Sequence, residues 1–249
     1  MAAPVEMGRR LAVLIDADNV SAAVIAALLA EIANFGTATV RRICGDWTTP
    51  NLQSWKQVRA EHSIVPIQPF RNTTGKNATD SAMIVDAMDP LHTGRFDGFF
   101  LVSSDSDFTR LASRIREQGV PVYGFGESKT PRPFITACDR FVFTDVLTGP
   151  TPGETTRRAP LKNLKGDTAL VSLLRKLVDD SADETGWANL GEVGSRITKQ
   201  EPDFDARNYG FPRLRSLIEK IDLFQLEERP GPQCHKHLWL RDKREKASR

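Results

Sequence analysis

Apolar runs of strand length alternate with helical patterns through the first half of the chain. The strand-like runs are LAVLI (11–15), TVRRI (39–43), SIVPI (63–67), GFFLV (98–102) and VPVYGF (120–125), and the helical patterns lie at 21–34, 51–61, 80–89 and 108–118. Such alternation is typical of a parallel sheet that is covered by helices on both faces. The nearly all-apolar run at 98–102 is typical of a buried parallel strand. The pattern therefore predicts an α/β fold with a doubly wound, mostly parallel sheet.

A second pattern begins after a stretch that has no apolar periodicity. Residues 148–167 concentrate Pro, Gly, Thr and basic residues, which predicts a linker. Helical patterns then follow at 170–178, 190–197 and 214–221, and the runs DLFQLEER and KHLWLR flank RPGPQCH as a hairpin would. We interpret this part as a small winged-helix domain at 168–241, which a disordered basic tail at 242–249 follows.

Composition limits the class of protein without identifying it. The 249 residues are 40% hydrophobic and 27% charged, which is ordinary for globular domains. The net charge of +2 is too small to require an anionic partner. The three cysteines lack CxxC spacing, which disfavours a zinc ribbon or a disulfide framework and predicts buried thiols in a reduced compartment. Without a signal-peptide pattern or a long apolar stretch, we expect a cytoplasmic protein with no membrane partner.

Acidic residues recur where strand-like runs end or helical patterns begin. They are Asp16, Asp18, Asp46, Asp80, Asp105 and Asp107. The carboxyl ends of neighbouring parallel strands meet in one crevice, so acids distant in sequence can lie together there. Clustered carboxylates repel one another, and a divalent cation such as Mg²⁺ or Mn²⁺ neutralises them through the oxygen ligands that it prefers. Such an ion can assist phosphodiester hydrolysis.

Most of these acidic residues also have a purely structural interpretation. Ser104 can cap a helix that has Asp105 and Asp107 in its first turn, and Asp80 can stand in another first turn, where the helix dipole favours acids. Asp18 can shape the turn after the first strand. Asn19 can hold that loop, orient a carboxylate or bind a phosphate, and Lys76 can contact the scissile phosphate or pair with an acid.

Four motifs in order resemble those of a known family. LIDADN, GKNATD, LVSSDSDF and GVPVYGFG are similar to the motifs of the NYN domain, in the LabA-like branch of the PIN-like nuclease superfamily, over residues 9–147. The resemblance implies a PIN-like sheet and a Mg²⁺- or Mn²⁺-dependent ribonuclease, which we expect to be an endonuclease. It also implies that Asp16, Asp80 and Asp105 hold the metal. Ser104 stands where the family frequently has glycine.

Two further residues match the family's site, and the role of a third is expected from its place in the polar loop before Asp80. Asp107 matches the acidic site as a fourth ligand or an outer base, and Asn19 matches the polar residue that follows the first strand. Lys76 is expected to steady the phosphate.

The second domain resembles the OST-HTH domain, also called LOTUS. The stretch D-x-R-N-Y-G-F, followed by L-x-x-L-I-E, begins at Asp205 and carries the resemblance. It implies binding of RNA and, as a second expectation, of a protein partner. Arg213 and Arg215 lie among the polar positions of the predicted helix, and our hypothesis is that they contact RNA.

Two other interpretations remain open on the sequence. The D-x-D of the first motif resembles that of haloacid-dehalogenase phosphatases, in which the first Asp is a nucleophile and the second a general acid. The Thr or Ser and Lys motifs of those enzymes are not evident here. A degenerate nuclease domain that serves as an RNA or protein scaffold is the other alternative.

Overall fold

A computed structural model describes residues 8–69, 78–148, 164–230 and 236–244 of the chain. The chain divides into two compact units, Met1–Pro152 and Gly153–Arg249. The predicted linker falls mostly on residues outside the described ranges, and Leu164–Gly166 forms a short 3-10 turn. No helix in the described ranges is long and apolar enough to cross a membrane.

The described part of the first unit contains a parallel sheet of six strands. The strands are β1 (Arg10–Asp16), β2 (Thr37–Cys44), β3 (Val65–Ile67), β4 (Gly98–Val102), β5 (Val122–Gly126) and β6 (Arg140–Phe143). Their order across the sheet is β3-β2-β1-β4-β5-β6, so the chain builds one half outward from β1 and then the other. The direction of winding reverses between β1 and β4. A reversal of this kind opens a crevice at the carboxyl ends of the two strands.

Helices cover both faces of the sheet. They are α1 (Ile25–Ala33), α2 (Gln53–Glu61), α3 (Ala78–His92), α4 (Thr109–Glu117), α5 (Arg132–Ala137) and α6 (Asp145–Thr148). Successive residues of β1 point to opposite faces, so that Leu14 joins a core with α3, α4 and α5, whereas Ile15 joins a core with α1 and α2. The predicted doubly wound α/β sheet is confirmed. The hydrophobic pattern did not predict α5 or β6.

The second unit is a helical domain with a small antiparallel sheet, as predicted. Its helices are α7 (Thr168–Asp179), α8 (Leu190–Gln200) and α9 (Leu214–Ile221), and its strands are β7 (Ala188–Asn189), β8 (Phe224–Pro230) and β9 (Lys236–Asp242). The strand order is β7-β9-β8. On the sheet face away from the core, the Arg229 guanidinium lies 4.7 Å and 4.9 Å from the ring centroids of Trp187 and Trp239.

The structure tests two further predictions, one on the start of the C-terminal tail and one on the cysteines. Asp242, the first residue of the predicted tail, is the last residue of β9, where it is buried and pairs with Arg175 and Arg244. Cys44 and Cys138 are buried free thiols, as predicted, and burial raises the pKa of each to about 12. Cys234 lies outside the described residues.

Candidate acidic active site

A buried carboxylate stands at the carboxyl end of β1. Asp16 is 0% exposed, and β1 lies directly beside β4, where Ile15 is opposite Val102. The Asp16 Oδ2 atom accepts hydrogen bonds from Asn19 Nδ2 at 2.7 Å and from Ser103 Oγ at 2.7 Å. The Oδ1 atom accepts one from the Asp18 backbone N–H at 3.1 Å. Both carboxylate oxygens are therefore fixed in direction.

Burial dominates the ionisation of this carboxyl group. It raises the pKa of Asp16, whereas the hydrogen bonds from Asn19, Ser103 and the Asp18 backbone act in the opposite direction. Asn19 thus orients a carboxylate, one of the three roles that the sequence left open for it. Ser103 is a residue that sequence reasoning missed, and its position just after a buried strand was the available signal.

Three further carboxylates lie together at the same edge of the sheet. One oxygen atom each from Asp80, Asp105 and Asp107 lies within 4.8 Å of the other two. Asp80 is in the first turn of α3, whereas Asp105 and Asp107 belong to the turn that follows β4. Two different helical segments therefore supply the group, which we call the acidic cluster.

Local backbone geometry places the second part of the acidic cluster. Asp105, rather than Ser104, is the N-cap of the short 3-10 helix Ser106–Phe108, and its Oδ1 atom accepts a hydrogen bond of 2.9 Å from the Asp107 N–H. The Ser104 hydroxyl instead accepts a hydrogen bond of 2.8 Å from the Glu127 N–H, which ties the turn to the loop after β5. The capping role suggested for Ser104 is therefore wrong, because its side chain points to the neighbouring strand.

Burial and the neighbouring carboxylates raise the affinity of Asp80 for a proton. Burial and then the negative charges of Asp16, Asp105, Asp107 and Asp18 raise the pKa of Asp80 to about 6. The same charges attract a cation. A cluster of carboxylate oxygens matches the hard-oxygen chemistry that Mg²⁺ and Mn²⁺ prefer. The predicted metal ligands were Asp16, Asp80 and Asp105. Among the described residues, the three carboxylates that lie closest together are instead those of Asp80, Asp105 and Asp107.

The residues predicted to bind substrate lie in different parts of the chain. Lys76 falls outside the described residues. Arg213 is exposed at the start of α9 in the second unit. Arg215 is exposed as well, but it forms ion pairs with Glu219 at 2.8 Å and Glu228 at 3.0 Å. Its charge is thus already compensated by neighbouring carboxylates.

Comparison with known proteins identifies both units. The NYN domain model matches residues 10–147. The chain belongs to the NYN domain family. The OST-HTH/LOTUS domain model matches residues 164–235, so the NYN domain precedes an OST-HTH/LOTUS domain. Both assignments agree with the resemblances found in the sequence. An NYN domain implies a nuclease-type hydrolase, and an OST-HTH/LOTUS domain implies RNA binding.

Three solved structures are similar to parts of this chain. A protein of unknown function from Vibrio parahaemolyticus is 18% identical with a TM-score of 0.46, over 57% of this chain and 97% of its own. An uncharacterized protein from Nitrosomonas europaea is 33% identical with a TM-score of 0.29, over 41% of this chain and 92% of its own. A protein from Chromobacterium violaceum is 29% identical with a TM-score of 0.27, over 32% and 86%. No curated protein matches the sequence.

Proposed function

We propose that this protein is a Mg²⁺- or Mn²⁺-dependent endoribonuclease whose OST-HTH/LOTUS domain binds the RNA substrate. The observation that carries the proposal is the acidic cluster at the reversal point of the NYN sheet. One oxygen atom from each of its three residues lies within 4.8 Å of the other two, near the buried Asp16. When a divalent cation is bound, it polarises the phosphoryl oxygen and activates a water nucleophile.

Each residue of the site has a separate role in this proposal. Asp80 and Asp105 hold the cation, together with Asp107 or Asp16 as a further ligand. Ser103 and Asn19 keep the Asp16 carboxylate directed by hydrogen bonds of 2.7 Å each. Lys76 steadies the phosphate, and Arg213 and Arg215 contact RNA. A LabA-like NYN domain, a cytoplasmic location and a protein partner for the OST-HTH/LOTUS domain remain part of the proposal.

The phosphatase alternative, in which Asp16 is the nucleophile and Asp18 the general acid, predicts turnover of a phosphomonoester and is distinguished by experiment. The scaffold alternative differs from a nuclease only in turnover. It is therefore distinguished by experiment.

The test uses the purified full chain with three substrates and, for the mode of cleavage, a circular RNA. Single-stranded RNA, a structured RNA and a phosphomonoester are each incubated with Mg²⁺, Mn²⁺ or EDTA. We expect metal-dependent cleavage of RNA, and cleavage of a circular RNA would demonstrate endonucleolytic action. Phosphate release from the monoester alone would support the phosphatase, and RNA binding without turnover would support the scaffold.

A matched pair of variants assigns any cleavage to the acidic cluster. Asp105→Asn keeps an oxygen that can accept the capping hydrogen bond from Asp107 N–H but removes the charge, so we expect at least a hundredfold loss, a typical scale for electrostatic groups in active sites. Asp89→Asn makes the same substitution at an exposed position of α3 and should retain full activity. Equal activity of the two variants would remove the acidic cluster from the mechanism.

A further inference from the structure

A tryptophan lies at the carboxyl edge of the sheet, on the side of β1 away from β4. β2 ends at Cys44, which is directly opposite Asp16 of β1, and the loop that follows it contains Gly45, Asp46 and Trp47. A Cβ atom added at Gly45 would lie 3.8 Å from the Asp18 Oδ1 atom. The loop therefore lies against the acidic turn after β1, and Trp47 is two residues farther along it.

The Trp47 side chain is fixed in place by its own hydrogen bond. Its indole Nε1 donates to the Ile67 carbonyl oxygen at 3.1 Å, and Ile67 is the last residue of β3. The Trp47 backbone N–H donates to Gln68 Oε1 at 2.9 Å, which holds the loop from the same side. The indole thus spans the carboxyl ends of β2 and β3. Neighbouring strands are about 4.8 Å apart, so the end of β3 is about 10 Å from that of β1.

Trp47 differs from the tryptophan that anchors the core on this side of the sheet. Trp55 of α2 is 1% exposed, and its indole N–H donates to the Val20 carbonyl oxygen at 3.2 Å. Trp47 packs against the same core, and its polar atom is equally satisfied, but unlike Trp55 its side chain remains partly exposed. Part of the Trp47 side chain therefore reaches the surface at this edge.

A cation accompanies the accessible ring. The Arg59 guanidinium carbon, from the last turn of α2, lies 5.6 Å from the Trp47 ring centroid. Aromatic rings with neighbouring arginines are typical surfaces for unpaired nucleobases, because every base has a flat face that can stack. The acidic cluster itself repels an RNA backbone. Favourable contacts on its flanks are therefore needed to hold a strand across it.

We propose that Trp47 stacks on an unpaired nucleobase of an RNA strand whose scissile phosphate lies at the acidic cluster. Arg59 neutralises backbone charge beside that base. The inference rests on the proposed nuclease function and deepens it, since the stacked base must be unpaired. It predicts little preference for base identity at the stacked position, because every base has a flat face that can stack.

The test combines a change in the substrate with a change in the protein. Abasic nucleotides are placed one at a time around a mapped cleavage site, and kcat/KM is measured for each RNA. With the wild-type chain we expect one flanking position at which loss of the base lowers kcat/KM about tenfold. Trp47→Leu should lower kcat/KM on intact RNA by a similar factor and show no further loss with the abasic RNA.

Two controls separate stacking from folding. Trp47→Phe keeps a flat ring and should retain part of the abasic penalty, whereas Val65→Ala removes an exposed apolar side chain of β3 and should leave the penalty unchanged. A wild-type chain with no position-specific penalty would overturn the proposal, even if Trp47→Leu fails to fold. A penalty that persists in a folded Trp47→Leu variant would overturn it as well.

A binding assay distinguishes failure of this inference from failure of the nuclease assignment. Affinity for intact and abasic RNA is measured by fluorescence anisotropy in EDTA, where metal-dependent turnover is absent. A Trp47-dependent abasic penalty in binding, without cleavage under any condition, would support the stacking site and refute the nuclease. Cleavage without any Trp47-dependent penalty in either assay would support the nuclease and refute the stacking site.

Discussion

Replacing Asp80 by Asn should stabilise the metal-free protein at neutral pH. The pKa of Asp80 is raised from 3.8 to about 6, by burial and by the four neighbouring carboxylates. The folded protein therefore binds this proton more tightly than the unfolded chain. The carboxyl group titrates with a pKa of 3.8 in the unfolded chain and of about 6 in the folded protein, so the free energy of unfolding falls as the pH rises from 3.8 to about 6. Above about pH 6 the folded protein carries the full cost of the ionised carboxylate. Asn is uncharged throughout and carries no such penalty.

The size of the effect follows from the pKa shift, reduced for solvent exposure and for one favourable interaction that the substitution removes. A shift of about two pKa units corresponds to about 3 kcal/mol if it is fully expressed. Asp80 is partly exposed to solvent, so screening reduces this figure to about 1.5 kcal/mol. Loss of the favourable interaction of the charge with the first turn of α3 subtracts about 0.5 kcal/mol. The net gain of about 1 kcal/mol predicts an increase of about 2 to 4 °C in the Tm of the NYN domain.

Thermal unfolding followed by circular dichroism in EDTA measures this gain. It should be largest at pH 7.5 and shrink to about half at pH 5, because the wild-type carboxyl group is then mostly protonated. Addition of Mg²⁺ should reverse the order of stability, since the wild type binds the ion more tightly. Asp89→Asn, on the exposed side of the same helix, is the control. An Asp80→Asn variant that is less stable than wild type in EDTA at pH 7.5, or whose gain is independent of pH, would refute the reasoning.

Two more predictions follow from the hydrogen bonds and ion pairs around the sites. Ser103→Ala removes an O–H donor from the buried Asp16 carboxylate and should lower the free energy of unfolding at pH 7 by about 1 to 3 kcal/mol, measured by urea denaturation; an unchanged value would show that another donor replaces it. Charge reversal of Arg213 or Arg215 should weaken RNA binding and reduce its salt slope, with the smaller effect at Arg215 because Glu219 and Glu228 already compensate its charge. Unchanged affinity and slope in salt-titrated anisotropy would remove both arginines from the interface.

Much of the fold was predictable because its signals are local. The apolar run at 98–102 is buried at every position of β4, as the pattern indicated. The linker composition and the helical periodicities also separated two units. The run SIVPI was predicted as a strand of five residues, but only Val65–Ile67 pairs, at the edge of the sheet. An edge strand has a neighbour on one side only, and this property is invisible to a window along the sequence.

The candidate site was predictable in its chemistry and less so in its arrangement. Asp16, Asp80 and Asp105 were recognisable from their positions at the ends of predicted elements. The sequence could not show that Ser104 turns toward Glu127 while Asp105 caps the turn, because both residues are good capping types. It likewise did not show that Ser103 donates to Asp16, since the two residues are 87 positions apart.

By itself, the sequence determined the type of most of the strands and helices and the carboxylates that stand at their ends, because periodicity and turn chemistry act over a few residues. Only the tertiary structure decided which of those ends meet. The strand order places β4 beside β1 and thereby brings Asp105 and Asp107 to the edge that holds Asp16, and the packing of α3 against the sheet brings Asp80 there. It also buried Trp55 while leaving Trp47 accessible, because the exposure of a side chain depends on the packing of elements that are distant in sequence.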